Sequence, residues 1–191
     1  MNLTFEVTEQ SQAFLARGLL KTALYLSVGG VIGILIGGRA HSHVSLWSII
    51  PYLLPLLLLL YSIDLVPSLV LHSQYLKINK DIKLTVDTTS KSILLTGPNH
   101  VHTLQLHDIV SVRLAMTFCR FHNDHCWGTW NTYQYAEVLM RTGERYFLTN
   151  LLIPDLRSFF RQLEIDFVRA RSFFPLVKSE DIPPEYLRGR T

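Results

Sequence analysis

The chain has 191 residues, a net charge of +3 with histidine neutral, and a slightly positive mean hydropathy of +0.22. So mild a charge, without a long basic stripe, excludes nucleic acid as a favoured partner. Two cysteines are too few for a disulfide scaffold. Because the apolar residues crowd into positions 19–71, the composition predicts a membrane anchor followed by one small water-soluble domain.

Two apolar runs predict a transmembrane hairpin at 19–71, after an N-terminal cytoplasmic segment at 1–18. The first run, 22–38, has no charge and as a helix would span roughly 25 Å. The second run, 47–71, is longer and contains one charge, Asp64. Because the link between the runs is short, the two spans are predicted to be antiparallel neighbours.

Basic residues collect on one side of the predicted hairpin. Two precede the first span and three follow the second, whereas the connecting turn holds only Arg39. Loops rich in lysine and arginine stay in the cytoplasm. The chain is therefore predicted to be integral to the inner, cytoplasmic membrane, with both termini and the soluble domain in the cytoplasm.

Gly29, Gly33 and Gly37 fall four residues apart on one face of the first helix. Small residues at this spacing let two helices approach closely in lipid. The glycine face therefore indicates a helix-packing surface. It either contacts a partner's membrane helix or a second copy of the chain, or packs on the chain's own second helix.

Asp64 is the one ionisable residue within the second run. Carboxylates inside a membrane are costly and often functional. The favoured interpretation is instead that the span ends near Tyr61, which places Asp64 at the membrane interface. Residues 65–71 would then continue as a partly buried linker, and Pro67 supports such a break.

From Tyr75 onward the apolar pattern changes to that of short strands. Alternation of apolar and polar residues predicts an antiparallel meander of about six or seven strands. Apolar residues then recur at helical spacing from Leu156 to Phe167, with Pro154 as the first helical residue. Because this stripe must be buried, the sequence predicts a β-structure closed by one helix, at 75–168.

Two segments resemble bacterial pleckstrin-homology-like (PH-like) domains. HTLQLHDIVSVRL, at 102–114, is similar to a strand, an acidic turn and an Ile-Val strand of that group. EVLMRTGERYFLTNLLIPDLRSFF, at 137–160, is similar to the last hairpin and the start of the closing helix. The resemblance implies an α+β membrane protein: a two-helix transmembrane hairpin followed by a PH-like antiparallel β-barrel or sandwich that a C-terminal helix closes.

PH-like domains are mainly binding and scaffolding modules, so the resemblance implies that the protein is not an enzyme. Eukaryotic lipid-binding members hold inositol phosphates with a basic cluster at the first hairpin. Here the hairpin taken as the first, VDTTSKSIL at 86–94, has only Lys91 between its strands, so this function is not implied. The standard phosphate-loop, dinucleotide and hydrolase motifs are also missing from the sequence.

The segment 118–133, FCRFHNDHCWGTWNTY, concentrates zinc-type ligands: Cys119, His122, His125 and Cys126. Four ligands compressed into eight residues would strain a tetrahedral site. We therefore expect no cofactor, with a zinc-dependent sensor or enzyme as an alternative. In a reducing cytoplasm both thiols would be free, whereas outside the cell they would form a disulfide.

The same segment carries Trp127, Trp130 and Tyr133. Such side chains anchor protein partners or lie at lipid interfaces, and the alternative is an ordinary lid over the sheet. In the C-terminal tail, 169–191, Arg169 and Arg171 are interpreted as ending the helix. The rest of the tail is predicted to be partly flexible.

These observations predict a non-enzymatic, membrane-anchored module that holds a protein partner at the cytoplasmic membrane face. Its contacts would be the lipid bilayer and either a protein partner or a second copy of the chain. The alternative is an accessory subunit of a larger membrane complex, docked through the glycine face of the first helix.

Overall fold

Two long antiparallel helices dominate the N-terminal half of the chain. The computed structural model describes residues 2–7, 9–40, 46–98, 100–122 and 128–178. Helix α1 comprises Glu9–Ala40 and helix α2 comprises Leu46–Asn79. At 1.5 Å per residue they are about 48 and about 51 Å long, so each extends well beyond its predicted apolar span.

Eight strands form two four-stranded sheets. The first sheet has the order β1-β2-β3-β4 and is antiparallel; its strands are Asn2–Glu6, Lys83–Asp87, Ser92–Thr96 and Val101–Gln105. The second sheet has the order β7-β6-β5-β8; in chain order its strands are β5 (Ile109–Met116), β6 (Gln134–Met140), β7 (Arg145–Thr149) and β8 (Val168–Arg171). Strand β8 pairs with β5 in parallel, and the other pairs are antiparallel.

Three short helical segments complete the domain. Helix α3, Phe118–His122, and a 3-10 helix, Thr129–Thr132, lie between β5 and β6. Helix α4, Leu156–Gln162, follows β7. The 3-10 helix contacts both α1 and α2, and strand β7 also contacts α2.

Both sheets and α4 bury their apolar faces in one core. Alternate residues of the strands point inward, as in Leu84 and Val86 of β2 or Ala136 and Val138 of β6. Helix α4 adds Phe160, which is fully buried. The sheets remain separate rather than closing on each other, so the sandwich form of the predicted fold is the one observed.

Strand β1 precedes the helical hairpin in the sequence but belongs to the domain that follows it. It pairs with β2 from Asn2 opposite Asp87 to Glu6 opposite Lys83. The two helices are thus inserted between the first two strands of a sheet. The predicted domain limits of 75–168 miss this strand, because five residues that pair across a 34-residue and a 32-residue helix give no local signal.

The end of the closing helix also differs from the prediction. Helix α4 ends at Gln162, and Glu164 adopts a positive φ of 56° that turns the chain back along the sheet. Arg169 and Arg171 therefore lie in β8 and do not end a helix. The sequence shows apolar residues at helical spacing as far as Phe167 because the residues after α4 also pack on the core.

Asp155 is the N-cap of α4, and its carboxylate accepts hydrogen bonds from the Ser158 backbone N–H (3.1 Å) and hydroxyl (2.7 Å). Partial burial alone would raise the pKa of this carboxyl; the Ser158 hydrogen bonds outweigh it, so the pKa lies below its usual value. Asp155→Ala should destabilise α4 by about 1 kcal/mol at neutral pH, measured by hydrogen exchange of the α4 amides.

The sign of the pH dependence follows from the lowered pKa of Asp155. The stabilisation is fully present above the carboxyl's unfolded pKa and is lost as the pH falls through the folded value. The difference between the wild type and Asp155→Ala should therefore shrink in acid. Asp166→Ala, at a nearby exposed carboxylate that caps no helix, is the control and should have little effect at either pH.

Candidate functional site at the junction of the hairpin and the domain

Helix α2 runs without a break past Pro67 to Asn79. The predicted break at Pro67 is therefore absent, and residues 65–71 belong to α2 rather than to a separate linker. That the membrane span ends near Tyr61 stays a prediction. The domain-facing side of α2 carries buried polar residues three or four positions apart, which we call the polar stripe: Asp64, Ser68, His72, Tyr75 and Asn79. Residues at this spacing lie on one face of a helix, so the polar stripe defines the surface on which the domain packs.

The Asp64 carboxylate joins both long helices to the domain. Its Oδ2 accepts hydrogen bonds from the hydroxyls of Thr22 on α1 (2.7 Å) and Thr129 on the 3-10 helix (3.0 Å). Its Oδ1 lies 3.5 Å from the backbone N of Trp130. Only 5% of Asp64 is exposed, so these groups replace the water that a carboxylate otherwise needs. Asp64 therefore lies inside the junction and not at an open interface.

Close approach of α1 to the 3-10 helix depends on Gly18. A Cβ atom added at Gly18 would collide with the side chain of Thr129. Because Thr129 in turn donates its hydroxyl to Asp64, a larger residue at position 18 would separate the groups that meet there.

The middle of the junction is a cluster of aromatic rings around Tyr133. Tyr133 is fully buried, and its ring meets those of Phe14 and Tyr75 edge to face at 5.6 and 5.4 Å between centroids. Its hydroxyl lies 3.0 Å from Nδ1 of His72. Burial, with a smaller contribution from the charge of Asp64, raises the pKa of Tyr133 well above its usual value, so this hydroxyl stays protonated.

Asn79 fixes the far end of α2 to the edge of the second sheet. Its side-chain amide donates to the carbonyl oxygen of Phe147 (3.2 Å) and accepts from the backbone N–H of Thr149 (2.9 Å). Strand β7 is an edge strand, so this pairing covers backbone groups that would otherwise be open.

The chain after β8 also packs on α2. The side-chain amide of Gln74 accepts from Val177 N (3.0 Å) and donates to its carbonyl oxygen (2.5 Å). Tyr75 donates its hydroxyl to the carbonyl oxygen of Pro175 at 2.7 Å. Val177 is 1% exposed, so the described part of the tail, up to residue 178, is bound to α2 rather than free.

The aromatic residues predicted to contact a partner have different positions. Tyr133 is fully buried in the junction, where its side chain packs inside the protein. The sequence could not distinguish this position, because an aromatic-rich segment has the same pattern whether it faces inward or outward. Trp130 is partly buried, and its ring stacks on Phe174 at 5.0 Å between centroids. Trp127 lies outside the described residues.

The glycine face is described at one of its three positions. A Cβ atom added at Gly29 would meet nothing within 4 Å, whereas one at the next residue, Gly30, would meet Leu57 of α2 at 3.3 Å. Gly29 therefore points away from α2. For Gly33 and Gly37 the structure gives only their place in α1.

Two of the four candidate zinc ligands lie outside the described residues, namely His125 and Cys126. Cys119 and His122 are on α3, and Cys119 has a free thiol. Within the described part of the chain, no three or more His, Cys, Asp or Glu residues lie where they could hold a metal ion together.

A cleft of about 630 Å³ opens where β1, the base of α1 and the start of α4 meet. Phe5 and Phe14 contribute apolar walls. The charged residues around it are Glu6, Arg17, Lys83 and Arg120, so positive charge predominates. A small molecule that fits this cleft by charge would be an anion.

The outer surfaces of α1 and α2 are apolar and exposed. Of the twenty-one large apolar side chains exposed in the described residues, fifteen are on these two helices, among them Leu24, Leu58 and Ile63. Ala13–Ile32 and Leu54–Asn79 are long and apolar enough to cross a membrane. An apolar surface of this extent is unusual on a soluble monomer.

The fold and the junction define a class: a domain of two four-stranded β-sheets and a closing helix, built onto a pair of long apolar helices. A family model described as a PH domain matches residues 4–159, and the chain therefore belongs to the PH domain family. The match begins in β1 and includes both long helices. No curated protein and no solved structure matches the chain.

Sequence reasoning missed the polar stripe, although a signal was present. Asp64, Ser68, His72, Tyr75 and Asn79 recur at intervals of three or four in an otherwise apolar stretch. Taking Pro67 as a break divided this pattern between a span and a linker. Thr22 and Thr129, which complete the Asp64 site, give no such signal because only the folded chain brings them together.

Proposed function

We propose that the protein is a non-enzymatic, membrane-anchored PH domain that holds a protein partner at the cytoplasmic face of the membrane. The observation that carries this proposal is the junction, in which the buried polar stripe of α2 joins a PH domain to two helices with apolar outer surfaces. A tether of this kind raises the local concentration of a partner without any chemistry.

The depth of the hairpin in the bilayer follows from the same residues. Thr22 and Asp64 are bonded across the two helices, so they mark one level. From there to its end at the turn, each helix has 18 residues, 23–40 in α1 and 46–63 in α2. This length, about 27 Å, is close to the thickness of the hydrocarbon core of a bilayer. The domain would then lie directly beneath the bilayer, on the side where Arg17 and Lys21 favour the cytoplasm.

Membrane insertion and topology are tested first. The full chain should resist extraction of membranes by alkaline carbonate, and a Lys178→Cys variant lacking native cysteines should be labelled by an impermeant maleimide only after the cells are opened. Release of the chain by carbonate, or labelling of intact cells, would contradict the anchor or its orientation respectively.

The partner is sought by purifying the tagged chain in gentle detergent and identifying the proteins that accompany it at fixed stoichiometry. Among the strands that the structure describes, β4 is at one edge of the first sheet, and it carries Val101, which is 62% exposed. An edge of this kind accepts an added strand from a partner. Recovery of the chain alone, from native membranes, would count against a stable protein partner.

A second candidate function is that of an accessory subunit in a larger membrane complex, and the open space at Gly29 favours it. If another helix packs there, Gly29→Leu should release the companion subunit while the domain stays folded. Val28→Leu, at an exposed neighbour, is the matched control. Unchanged recovery of the companion with Gly29→Leu would assign the contact to the soluble domain.

We also propose that the protein needs no metal. Elemental analysis of protein purified without chelators should find zinc far below one atom per chain. A stoichiometric zinc that is lost in Cys119→Ser would instead support the alternative of a metal-dependent sensor.

A further inference from the structure

Two exposed phenylalanines lie on the side of the domain next to the hairpin. Phe173, just after β8, is 73% exposed, and Phe118, the first residue of α3, is 46% exposed. The guanidinium carbon of Arg171 lies 4.4 Å from the centroid of the Phe118 ring. Apolar and cationic groups therefore share one exposed surface, which we call the Phe-Arg face: Phe118, Phe173, Arg169 and Arg171.

The Phe-Arg face is continuous with the junction. The Phe173 ring lies 5.3 Å from that of Trp130, centroid to centroid, and the Trp130 backbone N lies 3.5 Å from Asp64 Oδ1. Helix α3 contacts both the 3-10 helix and β8. A chain of direct contacts thus leads from α2 to Phe173.

The level of Asp64 on the hairpin is apolar on its outer surface. Leu20 and Leu24 on α1 flank Thr22 and are 72% and 60% exposed; Ile63 and Val66 on α2 flank Asp64 and are 57% and 58% exposed. If the hairpin spans a bilayer, these side chains face lipid. Phe173 contacts Trp130, which in turn contacts Asp64, so Phe173 then lies near the depth where the hydrocarbon meets the headgroups.

Positive charge adjoins Phe118. The guanidinium of Arg171 lies over its ring, and that of Arg169 lies over the Phe121 ring at 5.2 Å and donates to the Phe121 carbonyl oxygen at 3.1 Å. Three more arginines lie on α3 and α4: Arg120, Arg157 and Arg161. Partial burial and then the nearby charges of Arg169 and Arg161 lower the pKa of Arg157, so these guanidinium groups stand close together. The nearby carboxylate of Asp155 is engaged with Ser158 at the start of α4.

We propose that the Phe-Arg face lies against an anionic bilayer, with Phe118 and Phe173 among the headgroups and Arg169 and Arg171 on lipid phosphates. This proposal rests on the proposed membrane insertion of the hairpin. Phenylalanine side chains insert at the boundary between headgroups and acyl chains, and arginine binds phosphate with a planar fork of donors. The contact would fix the tilt of the domain relative to the bilayer. With the hairpin alone, that tilt would change whenever the two helices bend.

This surface is separate from the β2–β3 turn, where Lys91 lies alone. It binds by charge and by insertion of rings, not by enclosing one headgroup. A juxtamembrane lysine or arginine adds roughly fivefold to the binding constant for an anionic surface, so losing two should weaken the contact roughly 25-fold.

The test uses the full chain in lipid nanodiscs, in a Cys119→Ser, Cys126→Ser background. Spin labels are placed by Phe173→Cys, by Leu58→Cys on the hairpin, and by Val110→Cys. Val110 is near the start of β5, away from the end of that strand that pairs with β8. Val110 is 61% exposed, which makes it a matched control for Phe173. Collision of each label with oxygen, which enters lipid, and with a polar nickel chelate, which does not, reports its surroundings.

In discs containing phosphatidylglycerol, the labels from Leu58→Cys and Phe173→Cys should favour oxygen, and the label from Val110→Cys should favour the nickel chelate. Arg169→Gln with Arg171→Gln, or discs of phosphatidylcholine alone, should return the Phe173→Cys label to water. A Phe173→Cys label in water while the Leu58→Cys label is in lipid would overturn the inference and leave the anchor intact.

Two further results would also overturn the proposal. A Phe173→Cys label shielded from both reagents would mean that protein, such as a second copy of the chain, covers this face. A label immersed equally in both kinds of disc would remove the role of anionic lipid. A Leu58→Cys label in water would instead refute the membrane anchor itself.

Discussion

Replacing Asp64 with leucine is expected to loosen the junction between the hairpin and the domain. The substitution removes the acceptor of the Thr22 and Thr129 hydroxyls, which lie 2.7 and 3.0 Å from Oδ2. Hydrogen bonds to a charged group contribute about 1.5–3 kcal/mol each. Thr22 and Thr129 are 3.4 Å apart and would recover part of this by bonding each other, so a net loss of about 3 kcal/mol is expected.

Hydrogen exchange of the 3-10 helix measures this loss locally. A loss of about 3 kcal/mol corresponds to roughly a hundredfold faster exchange, if the amides exchange through opening of the junction. Asp64→Asn keeps one oxygen acceptor and avoids burying a charge, so its effect should be much smaller. Asp87→Asn is the control, since Asp87 binds Thr89 and Ser90 in a turn far from the junction.

Unchanged exchange in Asp64→Leu would mean that apolar packing alone holds the 3-10 helix against α1 and α2. The cost of burying a carboxylate would then need another explanation, since buried charges are retained where they are paired or functional. The comparison of leucine with asparagine therefore separates a structural hydrogen-bond acceptor from a role that needs the negative charge.

Local pattern was enough to predict the strands from β2 to β7 and the two long helices. Alternation of apolar and polar residues marks several of these strands, such as β6, and a short turn marks the hairpin of β6 and β7 at Gly143, with its φ of 88°. Both long helices follow apolar runs whose length is itself a signal. The order of these elements was also sufficient for the resemblance to the PH family.

Strands β1 and β8 could not be predicted in the same way, because their partners are distant in the sequence. Strand β1 pairs with β2 across the whole hairpin, and β8 pairs in parallel with β5 after α4 has intervened. Strands β2, β3, β4 and β7 are as short, but each forms a hairpin with a strand next to it in the chain. Strands β1 and β8 have no such neighbour, and each is stabilised by the sheet edge that it covers.

The polar stripe of α2 was not predicted because proline was expected to end the helix, whereas tertiary contacts keep the helix intact. Proline in a helix costs one hydrogen bond and some crowding, which made Pro67 look like an end. In the structure, α2 continues beyond Pro67, and its residues Leu71, Tyr75 and Asn79 are buried against the domain. That burial outweighs the cost of the proline, so the helix continues and its polar stripe becomes the junction.

Tyr133→Ala should be among the most destabilising single substitutions in the domain. Its side chain is fully buried among Phe14, Tyr75 and Leu151, and removing a buried aromatic ring costs about 3–5 kcal/mol. Tyr133→Phe keeps the ring and loses only the contact with His72 Nδ1 at 3.0 Å, so a loss of about 1 kcal/mol is expected. Unfolding of the purified chain by denaturant gives both values.

Tyr25→Ala provides the matched control, because Tyr25 is 72% exposed on α1 and its ring supports no core. The same three variants also separate a core residue from a contact residue. If Tyr133 contacted a partner, Tyr133→Phe would weaken partner capture while the stability stayed nearly unchanged. If it belongs to the junction, Tyr133→Phe should retain the partner, and Tyr133→Ala should lose partner binding and stability together because the domain detaches from α2.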